Sequence, residues 1–285
     1  MFMKDLIVNI FKTLFFFDLS FVIMYYLPKL SLSDPALSRL VNEALILAVV
    51  VAFTLIFLIF VEKRKLKLEN KKIKFKILLS GFATGAVFSL VTVAVLAAFK
   101  KFDFLGLEKV DKWYYWIAAL LVNTIAVELY YRGYLFTLYK KYYGFITSTI
   151  ITTLLYLVAN TEIFSKGKIF VANVIVFNVL LCILLDYTKS LKFSIIVRFV
   201  YSFINVCLLG GISVAGEYPV LFKTIFNGKS LLTGGEKGIE NSVIMLVLLS
   251  AVTVLLIIRK YSLIEKIKTL PLTIKKLLLK SKTRV

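Results

Sequence analysis

The run ALILAVVVAFTLIFLIFV at residues 44–61 contains no charged side chain, and the run behind it, EKRKLKLENKKIKFK at 62–76, contains eight basic side chains and two acidic ones. As a helix the first run would reach about 27 Å, close to the hydrocarbon thickness of a bilayer. An apolar span that ends in a dense basic loop is the pattern of a helix leaving the membrane on the cytoplasmic side. Seven further apolar blocks stand around it, at roughly 6–27, 77–99, 113–136, 145–160, 169–185, 193–209 and 242–258. The block at 145–160 is short for a full crossing. The fold expected is therefore all-α, a polytopic membrane helix bundle of about eight transmembrane helices.

Composition agrees: 60% of the 285 residues are hydrophobic and the mean hydropathy is +0.90, more apolar than one water-soluble core can hide. An even number of spans puts both termini on one side. Loops on the terminal side carry 22 Lys and Arg against 5 acids, and the opposite loops carry 11 against 9. The positive-inside rule then places both termini in the cytoplasm of a cell-membrane protein. The same asymmetry accounts for the net charge of +20, so nucleic-acid binding is not expected; the bilayer is the expected partner of the basic loops.

The first block has a weakly basic start and no small-residue cleavage site, which reads as a retained span. No linker or repeat divides the chain, so residues 1–258 read as a single transmembrane helical domain. Residues 259–285 read as a basic amphipathic cytoplasmic tail, with Ile274, Leu277 and Leu278 at helical spacing. The loop 210–241 is the one long loop on the opposite side; glycines at 210–211 and 234–235 allow tight turns, and such length in a compact bundle is often functional. Cys182 and Cys207 fall within apolar spans without paired spacing and read as free buried thiols.

Ionisable residues inside spans are expensive and each needs a reason. Lys12 and Asp18 in the first block read as snorkelling or weakly paired groups. Glu128 and Arg132 stand four apart, in the order that lets a Glu pair with an Arg one turn later on the same helix face. Arg198 is the third such group. One carboxylate against two guanidinium groups leaves a surplus of +1 in the bundle centre, enough to bind an anionic group such as a peptide carboxylate or lipid phosphate. Alternatively Arg198, near the start of its span, snorkels to the cytoplasmic face.

Three stretches in order resemble the motifs of the CAAX protease and bacteriocin-processing family of intramembrane proteases. VELYYRGYLF (127–136) is similar to the first, two adjacent Glu followed by three residues, an Arg and a Gly; Glu128, Arg132 and Gly133 match, and Val127 stands where the family's first Glu would activate water. In TSTIITTLLYLVAN (147–160), Tyr156 holds the aromatic position of the second motif and Asn160 stands where a His is expected. In DYTKSLKFSIIVRFVYSFIN (186–205), Arg198 and Ser202 stand at the His and Asn positions of the third. The stretch 216–242 also resembles sequence that follows the third motif in many bacterial members, so the likeness spans a core of about 113–249.

The resemblance implies the fold of an intramembrane endopeptidase and, position by position, the loss of its chemistry. Hydrolysis of this type needs a carboxylate to activate water and imidazoles to hold metal or steady an oxyanion, and the chain has no His. Asn160 and Ser202 are not general bases near neutral pH, and Arg198 would repel a metal cation. No residue is therefore expected to be catalytic, and no metal or cofactor is expected. Glu128, Arg132, Asn160 and Arg198 are expected to form a buried polar binding cluster, Arg198 being neutralised by Glu128 or solvated by Asn160 and Ser202. The implied function is that of an inactive family member that binds a membrane or envelope protein, as regulator or chaperone, or serves as a bacteriocin immunity factor. Alternatives are an active CAAX-type endopeptidase using Glu128 and a small transporter or lipid-handling protein.

Overall fold

The computed structural model describes residues 2–63, 66–69, 75–211 and 218–269, with side chains for 7–63, 66–69, 75–211 and 218–260. The elements run α1 (Phe2–Tyr26), α2 (Pro35–Ile56), α3 (Phe75–Ala98), β1 (Phe102–Leu107), α4 (Trp113–Glu128), α5 (Phe136–Ala159), α6 (Lys168–Thr188), α7 (Leu191–Ser202), β2 (Phe222–Phe226), the single turn α8 (Ser230–Thr233) and α9 (Val243–Thr269). Wider π turns extend α2 over Phe57–Val61, join α4 to α5 over Leu129–Leu135, and extend α7 over Phe203–Leu208. The basic segment at the C-terminal end continues α9 as helix to Thr269; residues 270–285, and with them most of the proposed amphipathic tail, lie outside the described residues.

Among the described residues, seven helices are long and apolar enough to cross a membrane. One of them, Trp113–Ala159, is 47 residues long, roughly 70 Å if straight and more than twice the hydrocarbon thickness. It is not straight. Gly144 has φ +82 and ψ −178 inside α5, a conformation that L side chains avoid and glycine adopts freely. The rings of Tyr131 and Tyr156 lie only 5.2 Å apart, whereas a continuous helix would separate those residues by about 37 Å. The chain thus doubles back at Gly144 into two antiparallel arms, and the eight apolar blocks of the sequence appear as eight helical segments.

A close approach of α3 fixes the helix that carries Arg198. Gly85 of α3 faces α7 so tightly that a Cβ there would fall 2.6 Å from the carbonyl oxygen of Val197 and 2.9 Å from Cβ of Val200. Small residues permit such backbone approach where apolar association between helices has no water to drive it. Around this contact Phe88, Leu181, Phe193, Val197 and Met245 join α3, α6, α7 and α9 into one buried cluster. A second cluster ties α1, α2 and the hairpin of α4 and α5, with Phe16 packed edge-on against Phe57 and close to Tyr134.

At one end of the bundle, Asp186 accepts from Lys140, Lys189 and Lys260, and Glu69 accepts from Lys140 at 2.6 Å. The described part of the basic loop is thereby fastened to the protein: Leu66 is buried, and the carbonyl of Glu69 accepts from the backbone N–H of Leu191 at 2.8 Å. Lys12 pairs with buried Glu62 at 2.7 Å, not with Asp18, which is exposed. Cys182 and Cys207 are free and buried. At the other end, β1 and β2 form an antiparallel two-stranded sheet, Phe102 opposite Phe226, with an irregularity between Phe104 and Gly106. The all-α expectation had no place for this small sheet: its strands are short and charged, and they pair across more than a hundred residues.

Candidate functional site

The site grows from the turn between α4 and α5. Glu128 ends α4 and Arg132 sits in the π turn that follows; such local widening of a helix re-aims side chains and is frequent at functional positions. Glu128 is fully buried and Arg132 is 2% exposed, their charged atoms 3.3 Å apart. Arg132 also donates to the side-chain oxygen of Asn178 on α6. From α7, Arg198 donates through Nη1 to the same Glu128 oxygen, Oε1, at 3.1 Å and through Nη2 to the Tyr156 hydroxyl at 2.7 Å. Its guanidinium lies over the Tyr156 ring at 5.0 Å, an arrangement in which the ring face adds to the attraction.

The pairing of Arg198 with Glu128 is the one expected from charge, and Arg198 points into the bundle with 11% of its side chain exposed, which rules out snorkelling. Asn160 does not solvate it. It ends α5 with its amide turned back to donate to the carbonyl of Tyr156 at 2.8 Å, because an Asn at a helix end readily bonds the last turn.

One cavity of about 470 Å³ reaches through this region. Val127, Asn160, Arg198 and Ser202, the four positions that the motif resemblance marks as departures, all line it. Its walls come from α1, α2, α4, α5, α6 and α7, and Lys29 stands at the rim beyond the end of α1. Glu128 and Arg132 lie behind the wall, where Glu128 holds both guanidinium groups, and neither is itself a lining residue.

Motif reading missed the one carboxyl that lines the cavity, Glu240. The loop that follows β2 folds back over the bundle: Asn173 of α6 donates to the backbone carbonyl of Glu240 at 2.7 Å, and Asn205 donates to its carboxylate Oε1 at 3.2 Å. Burial pushes the Glu240 carboxyl up to about 7, with Asn205, Tyr201 and the charge of Arg198 pulling the other way. The length of loop 210–241 was the only sequence signal for it.

Residues 109–204 match the family model described as type II CAAX prenyl endopeptidase Rce1-like. This segment is Rce1-like. No curated protein and no solved structure matches the chain. The match ends before the loop that bears Glu240, so that group lies outside the Rce1-like segment.

Within the Rce1-like segment the side chains present do not suit a hydrolytic metal. Among the described residues no three His, Cys, Asp or Glu side chains cluster, and Arg198 puts a permanent cation at the cavity wall. What the arrangement can do chemically is hold a charge: the Arg198 guanidinium, the Glu240 carboxyl and the amides of Asn123, Asn160, Asn173 and Asn178 line the cavity together with apolar and aromatic side chains.

Proposed function

We propose that this protein is a catalytically inactive member of the Rce1-like group that works by binding, as a regulator or chaperone of an envelope protein or as a bacteriocin immunity factor, in the cell membrane with both termini cytoplasmic. The observation that carries the reading is the convergence of Val127, Asn160, Arg198 and Ser202 on one cavity. The water-activating and imidazole positions are replaced together, and the replacements fit one another: a cation, its buried counter-charge and an aromatic acceptor. An intact scaffold with a rebuilt, hydrogen-bonded pocket is what selection for binding leaves.

Capture of the tagged full chain from mild detergent, with Arg198→Ala alongside, tests the binding role. One envelope protein recovered at near-equal stoichiometry is the expected outcome; recovery of nothing specific contradicts it.

A further inference from the structure

The buried trio beside the cavity carries one more cation than anion. Arg132 and Arg198 both lean on a single oxygen of Glu128, and the other oxygen, Oε2, is buried without a hydrogen-bond partner. Two cations share one anion in a setting where water cannot dilute the excess. Of that trio only Arg198 lines the cavity. Two of its five N–H donors are engaged, so the guanidinium keeps donors for an incoming oxyanion. Lys29 at the rim adds a second positive charge, against the one lining carboxyl of Glu240.

Along α1 and α2 the wall is largely apolar: Phe17, Phe21 and Met24 of α1 and Ile46 and Val50 of α2 line it. Phe21 on this strip is 44% exposed, so the strip is open at that point of α1. A volume of about 470 Å³ lies in the lower part of the range for small-ligand sites, with room for one alkyl chain and a compact head.

We propose that the cavity binds a single-chain anionic amphiphile, its carboxylate or phosphate head against Arg198 and its alkyl chain along the strip between α1 and α2. The inference deepens the binding role above and rests on it. It assigns that role a small ligand, taken up from the membrane through the α1 side, which balances the extra cation of the buried trio.

The test uses the full chain in nanodiscs of zwitterionic lipid, with radiolabelled laurate as probe and empty discs as blank. Saturable binding near one laurate per chain is expected, displaced by unlabelled laurate or dodecyl phosphate and not by dodecyltrimethylammonium. The tighter of the two anionic competitors identifies the head chemistry. Arg198→Gln, which leaves Glu128 paired with Arg132, should weaken binding about tenfold or more. Val50→Trp, which fills the chain strip, should weaken it comparably while helicity is retained. No saturable binding above empty discs, equal displacement by the ammonium, or unchanged affinity in Arg198→Gln would overturn the proposal. Such a failure leaves the non-hydrolytic reading standing, because that reading is decided by peptide cleavage and not by laurate.

Discussion

At the residue scale the centre of the account is an asymmetric trio, one buried carboxylate between two guanidinium groups. Removing one charge of a buried set is costly when it strands the others, typically about 3–5 kcal/mol, and far cheaper when it leaves a balanced pair. Glu128→Gln should therefore destabilise the protein by that amount, whereas Arg198→Gln should cost little or nothing. Unfolding in a detergent titration, with the double variant completing the cycle, measures both. Glu240 gives a second residue-level expectation. Its carboxyl is raised by burial to about 7 from an ordinary value near 4.5, so the folded state binds a proton that the unfolded chain has already lost. Stability contributed by this group accordingly rises as pH falls from about 7 towards 4.5 and is lost as pH rises through 7. Melting temperatures across that window should show the slope in the wild type and lose it in Glu240→Gln.

At the scale of elements, the site depends on how closely α3 carries α7. The Gly85 contact holds the helix that bears Arg198, with backbone atoms of Val197 in the way of any side chain. Gly85→Leu should push the two helices apart, costing about 1–3 kcal/mol by overpacking and shifting Arg198 away from Glu128. A thermal melt reads the first effect; loss of the added penalty of Glu128→Gln in that background reads the second. The helices themselves were legible because a bilayer imposes both length and apolarity on each span, and the block at 145–160 stood apart from its predecessor because the stretch with Lys140 and Lys141 interrupts the apolar run. The pairing of Glu128 with Arg132 followed from spacing, and that with Arg198 from the shortage of counter-charge. The sheet of β1 and β2 was not legible: the stretch KKFDFLGLEK at 100–109 reads as a charged loop until its partner at 222–226 is beside it. Nor was Glu240, which no spacing or motif distinguishes and only the return of the loop against Asn173 and Asn205 brings to the cavity. Asn160 lines the cavity, but side-chain identity does not reveal that its amide is spent on its own helix end.

For the whole molecule, the two ends of the bundle are built differently. One is fastened by the Asp186 and Glu69 network, which draws α5, α6, α9 and the basic loop together; the other folds a long loop down onto the cavity. Between them lies the cavity at which we propose that binding has replaced hydrolysis. The most direct test of that claim is cleavage. The full chain in nanodiscs, given a farnesylated peptide ending in a CAAX box, should release no C-terminal tripeptide above empty discs by mass spectrometry, while a catalytically competent Rce1-like enzyme releases it under the same conditions. Release by this chain that disappears in Glu128→Gln or Glu240→Gln would contradict the account.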